Sequence, residues 1–109
     1  MNKEDRIRKE VNDVIETNDF VKVNSGVMRY MVGAPGWVKA IGITRLFEEG
    51  QLHQALDYLQ ELGAIKVRAV DGKEPVEMCD FDIDEVEIRL TAMGIKLCNH
   101  KLYDELLDI

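Results

Sequence analysis

The sequence predicts a single α+β domain, mostly helical, and three observations carry that expectation. Apolar residues recur at helical spacing over residues 4–17 and 51–62. Two strand-like runs flank Asp71-Gly72, a strong turn signal. Leu90-Thr91-Ala92-Met93-Gly94 then opens a last helix, with Thr91 as its N-cap. A length of 109 residues suits one hydrophobic core, so one domain is expected over 1–109.

In residues 4–17, Ile7, Val11, Val14 and Ile15 form one apolar stripe of a helix. Lys3, Arg6, Arg8 and Lys9 are interleaved there with Glu4, Asp5 and Glu10, the pattern of a solvated face. Phe20-Val21-Lys22-Val23 reads as a short strand or an apolar connector. Asn24-Ser25 offers an N-cap to a mostly buried helix through Val27, Met28, Tyr30, Met31 and Val32, which Gly33-Ala34-Pro35-Gly36 stops. Residues 37–49 read as a third helix with Trp37, Ile41, Leu46 and Phe47 inward, although Gly42 and the β-branched Ile41, Ile43 and Thr44 weaken it.

The clearest helix is 51–62: Leu52, Ala55, Leu56, Leu59 and Leu62 form its stripe and Gly63 stands in the C-terminal capping position. Its other face holds Gln51, His53, Gln54, Asp57, Tyr58, Gln60 and Glu61, without Lys or Arg. Residues 64–70 alternate as a half-buried strand does. In the return run, 76–90, the apolar parity changes between Met78 and Phe81 and between Ile83 and Val86, which bulges or a looped tip would produce. The last helix is expected over 92–108, broken or kinked near Asn99-His100.

Composition narrows the classes. No apolar run approaches the roughly 20 residues that cross a bilayer, and the charged start Met1-Asn2-Lys3-Glu4-Asp5-Arg6 lacks the core of a signal peptide, so a cytoplasmic protein with no membrane partner is expected. Cys79 and Cys98 lie in different elements without CxxC spacing, as reduced structural thiols do. The net charge of −7 is local: residues 71–87 hold eight of the 21 acids and one of the 14 bases, and the rest of the chain is balanced.

The order of helices ending in Leu62-Gly63, then strand, Asp-Gly turn, strand and Leu90-Thr91-x-x-Gly94, resembles the winged helix-turn-helix superfamily over about residues 25–97. That superfamily includes small bacterial and phage regulators of the kind grouped with MarR or ArsR proteins. The Ala34-Pro35-Gly36 turn is also similar to that of some small prophage-encoded winged-helix proteins. The resemblance implies a non-catalytic, DNA-binding transcriptional regulator with helix 51–62 in the major groove, the hairpin near the minor groove or backbone, and flanking N- and C-terminal helices.

On that expectation Gln51, Gln54 and Gln60 would bond adenine and His53 a base or phosphate, while Arg29, Lys39, Arg45, Lys66, Arg68 and Lys73 would meet the backbone. Asp57 and Glu61 would repel it. A homodimer would double these few bases, joined through Ile7, Val11 and Val14 of the first helix and Leu102 and Leu106 of the last. The alternative is a protein-interaction module whose acidic wing, with Glu74, Glu77, Asp80, Asp82, Asp84, Glu85 and Glu87, binds a basic partner or mimics nucleic acid.

Enzyme signatures are missing: Ser25 is the only serine, and HExxH, GxSxG, GxGxxG and the phosphate-loop pattern do not occur. Asp80-x-Asp82-x-Asp84 starts like a calcium loop, but Glu85 replaces its turn glycine and Thr91 its bidentate Glu. Cys98-Asn99-His100 lacks a second ligand pair. No metal or cofactor is therefore expected.

Overall fold

The computed structural model describes residues 19–34 and 36–109. The helix expected at 4–17, with its dimer candidates Ile7, Val11 and Val14, lies outside the described residues, as does Pro35. Helix α1 covers 19–32 and runs through both Phe20-Val21-Lys22-Val23 and Asn24-Ser25, so neither the strand or connector nor the N-cap forms. Val23, Val27, Met28 and Met31 make a buried stripe along α1, and burying it outweighs the weak propensity of the valines. Ser25 fits inside the helix by donating from Oγ to the Val21 carbonyl, 2.6 Å away. The helix does end at the expected turn, where the N–H groups of Gly33 and Ala34 bond the carbonyls of Tyr30 and Met31.

Residues 37–49 form no long helix, so the expected helix pair is absent. They give strand β1 (Val38–Lys39), a 3-10 turn (Ala40–Ile43) and a bend leading into helix α2. Gly42 and the β-branched neighbours cannot sustain a helix, while Val38 and Lys39 gain ladder partners in a sheet. The inward residues change accordingly. Ala40 and Ile43 are buried, whereas Ile41 and Leu46 are 44% and 60% exposed.

Helix α2 (Glu49–Leu62) starts two residues earlier than its apolar pattern, because the Glu48 carboxylate caps it by accepting from the N–H groups of Gly50 and Gln51 at 2.9 and 3.0 Å. Leu52, Ala55, Leu56 and Leu59 are fully buried. Gly63, at φ 86°, closes the helix: its N–H bonds Gln60 O, and Ala64 N bonds Leu59 O. These two bonds satisfy carbonyls that the helix end would otherwise leave open.

Strands β2 (Ile65–Ala69) and β3 (Val86–Leu90) complete an antiparallel sheet of order β1-β3-β2. Val38, Ile88 and Val67 share one cross-strand row, and Lys39, Glu87 and Arg68 the next. Alternation sends Ile65, Val67, Val86 and Ile88 into the core shared with α2 and turns Lys66, Arg68, Glu87 and Arg89 to the other face.

The connection from β2 to β3 turns through Gly72 (φ 84°) and Lys73 (φ 59°), and Pro75 pairs back against Arg68. Residues 76–85 are not strand. Two 3-10 turns, Met78–Asp80 and Ile83–Glu85, bury Met78 and Ile83 and account for both changes of parity without a bulge. Asp80, Asp82 and Asp84 therefore share no strand face.

Helix α3 (Ala92–Cys98) is capped by Thr91 and stops at Asn99-His100, where His100 has φ 59°. The break lies where expected, but no helix resumes over 101–109. The tail instead returns to α1 and α2. Asn24 Nδ2 donates to Leu106 O at 3.3 Å, Asp108 N to Ser25 Oγ at 2.8 Å, Arg29 to Asp108 O at 2.6 Å, and the Tyr58 hydroxyl to Asp104 at 2.6 Å. Leu107 is buried and Ile109 packs on the core. Of the tail's dimer candidates, Leu106 is half-buried against its own chain and Leu102 stays 44% exposed. Among the described residues, no helix is long and apolar enough to cross a membrane.

Candidate nucleic-acid interface

Helix α2 presents less of its polar face than its sequence promises. The side-chain amide of Gln60 donates to Val76 O and accepts from Met78 N, both at 2.8 Å. His53 Nε2 lies 2.8 Å from Phe81 O. Tyr58 is held by Asp104 on one side and meets the Phe20 ring edge-on, with centroids 5.3 Å apart. Two of the expected base-reading residues, His53 and Gln60, are thus fasteners that tie the 76–81 segment to α2. Gln51 and Gln54 remain exposed, beside Asp19 and Phe20 of α1.

The expected phosphate contacts divide. Arg29 projects from α1 and binds the tail, and Arg45 stands exposed in the bend after the 3-10 turn. Lys39, Lys66, Arg68 and Lys73 come together, on the sheet face turned away from α2 rather than beside that helix. Arg89 joins them as the cross-strand partner of Lys66. Lys73 reaches over the same face to bond Glu87 Oε1 at 3.0 Å. Among the described residues this face therefore gathers five bases around one buried acid, with the exposed Glu77 at its edge.

Glu87 is the acid, and it is buried, its side chain only 6% exposed. Arg68 Nε lies 2.5 Å from the same Oε1 that Lys73 binds. Burial pushes the Glu87 carboxyl up, but the hydrogen bonds and charges of Lys73 and Arg68 outweigh it and hold the group below its ordinary 4.5. Glu87 is accordingly a fixed counter-ion inside the basic face and not part of an acidic binding edge, which removes it from the wing set. The guanidinium of Arg68 also lies 3.9 Å from the centroid of the Trp37 ring, a cation–π stack. Trp37 is therefore half-buried on the outer face of the sheet and not an inward anchor.

Beside this stack opens a cleft of about 590 Å³, walled by Trp37, Lys66, Arg68, Lys73, Pro75, Val76 and Glu77 among others. The sequence-based expectations missed Arg89 and the placement of Trp37. Alternation in Val86-Glu87-Ile88-Arg89-Leu90 is the signal for the first; nothing local signals the second, because a two-residue strand has no readable period.

The remaining acids, Asp71, Glu74, Glu77, Asp80, Asp82, Asp84 and Glu85, are exposed. Asp82, Asp84 and Glu85 bring oxygens within 4.8 Å of one another. Asp82 and Glu85 are engaged in a capping box on the second 3-10 turn, with Asp82 N donating to Glu85 at 3.0 Å. Among the described residues, both ion pairs end on Glu87, and the other acids form none.

The thiols are poor nucleophiles. Desolvation and the charges of Asp80, Asp57 and Glu77 push Cys79 above 9.0, and burial does the same for Cys98. Cys79 is exposed, so of the two only Cys98, which packs on the core, has a structural place. No protein-family model, curated protein or solved structure matches the chain.

Proposed function

We propose that the chain is a non-catalytic, cytoplasmic nucleic-acid-binding protein on a winged-helix scaffold, and that it grips the phosphate backbone with the outer face of its sheet. The observation that carries this reading is the gathering of Lys39, Lys66, Arg68, Lys73 and Arg89 around a single buried acid. The scaffold reading is supported by the order helix, short strand, turn, helix, strand, wing, strand and by the β1-β3-β2 sheet. A 3-10 turn then stands where the first helix of the usual pair would be. Because the bases come from one chain, binding needs no second copy. Control of transcription is the cellular role this scaffold suggests.

Anisotropy titrations of a labelled duplex at rising salt test the proposal. Contacts from three free bases, Lys39, Lys66 and Arg89, with Arg68 and Lys73 engaged by Glu87, give a log–log slope of roughly −2 to −3 and a loss of roughly 40-fold between about 50 and 200 mM salt. Lys66→Glu with Arg89→Glu lowers affinity and flattens the slope by about 2, while Arg45→Glu changes neither by as much. Absence of binding at low salt by both duplex and single strand would exclude the reading.

The exposed acids of 71–85 support a second reading, a module that binds a basic protein surface through its wing. It predicts salt-sensitive binding to a polylysine probe that Asp80→Asn with Asp84→Asn weakens.

A further inference from the structure

We infer that the cleft beside Trp37 is a stacking site for an unpaired nucleobase, so that the nucleic acid favoured by this face is single-stranded. The inference rests on the nucleic-acid reading above and names its substrate class. Arg68 is fixed on two sides, its edge by Glu87 and one face by Trp37. The side chain keeps 25% of its exposure and lines the cleft. A guanidinium plane immobilised in this way is a platform for a flat aromatic ring, and base stacking on such planes tolerates any base.

Besides Lys66 and Lys73, the cleft has walls that suit a base better than a phosphate. Pro75 and Val76 are apolar and face the same space. Glu77, the one acid lining it, repels a phosphate and accepts a hydrogen bond from a base amino or imino group. The phosphates belong at the rim, on Lys66, which also lines the cleft, and on Arg89 outside it; the two are paired across the strands and both exposed. A paired base cannot reach such a site without leaving its helix, a penalty that a single strand avoids.

Trp37 is the only tryptophan, so its fluorescence reports on this cleft alone. The test titrates the full chain with a short oligodeoxycytidylate and with a blunt GC duplex, following both Trp37 emission and anisotropy. Expected are saturable quenching by the single strand and a preference over duplex of roughly tenfold, the size of one stacked base. Arg68→Lys keeps the charge but removes the plane; it should lose most of that preference while leaving the salt slope within about 1 of wild type. Circular dichroism confirms that the variant is folded.

Equal affinity for duplex and single strand without quenching overturns the stacking site and leaves the nucleic-acid reading standing. Preference for single strand that survives Arg68→Lys and occurs without quenching overturns the assignment to this cleft. Failure of both ligands to bind at low salt overturns both inferences.

Discussion

A buried carboxylate and a half-buried phenol, both hydrogen-bonded, make the stability of the protein depend on pH from opposite ends. Glu87 has a folded pKa below 4.5, since Lys73 and Arg68 outweigh its burial. Its contribution is therefore complete above 4.5 and fades as pH falls through the lower folded value. Glu87→Gln should lower the melting temperature at neutral pH, and the gap to wild type should shrink on acidification; a gap that widens contradicts the ion-pair account. Tyr58 behaves in the reverse sense. Desolvation, then the hydrogen bond and charge of Asp104, raise its phenol from 10.0 to about 12. Its contribution is intact below 10, and it is lost as pH rises from there through about 12. Asp104→Asn should bring the ionisation of Tyr58 to lower pH in tyrosinate absorbance and loosen the tail. An unchanged titration would mean that Asp104 does not hold the phenol.

At the scale of elements, the junction of α2, β2 and α3 explains why Leu90-Thr91-x-x-Gly94 is so written. Thr91 Oγ1 donates to Gly63 O at 2.6 Å and accepts from Gly94 N at 3.0 Å, and Thr91 N bonds Ala64 O at 3.0 Å. Gly94 then packs so closely on the Ala64 carbonyl that a Cβ would overlap it. Gly94→Ala should cost about 1–3 kcal/mol, because backbone cannot step aside as a side-chain end can. Thr91→Ala should cost about 1–2 kcal/mol through the lost cap and the orphaned Gly63 carbonyl. Urea unfolding measures both, and wild-type stability in Gly94→Ala would refute the close approach. This junction was legible in sequence, as were α2 and β2, because caps, glycines and apolar period are local signals. Residues 37–49 and 76–85 were not, since 3-10 turns have too few residues to show a period and their placement depends on Ile43, Met78 and Ile83 finding the core. The basic face was half legible. Lys66 and Arg68 alternate visibly, but their meeting with Trp37, Lys73 and Arg89 depends on the β1-β3-β2 register, which no single segment encodes.

At the scale of the molecule, the described residues are polarised by charge, a property that a net value of −7 conceals. Bases occupy the outer sheet face, whereas the 78–85 turns are tied by His53 and Gln60 to α2, on the opposite side of the sheet. The acids of those turns therefore act on a bound polyanion only through solvent and over a distance. Screening makes such an effect fade with salt: the Debye length is about 30 Å at 0.01 M but about 10 Å at 0.1 M. Asp80→Asn with Asp84→Asn, which spares the Asp82–Glu85 capping box, should thus raise nucleic-acid affinity roughly twofold to fivefold at the lower salt and leave it nearly unchanged at the higher. Association rates should carry most of the gain, because unpaired distant charges bias encounter more than they hold the docked state. The polarity also orients the ligand. A strand approaching from the acidic side is repelled and one approaching the sheet face is drawn in, so neutralising the acids should increase low-salt binding that does not quench Trp37. An affinity gain that persists undiminished at 0.1 M salt would place those acids next to the bound strand, and the separation of charge across the sheet would then not be what guides it.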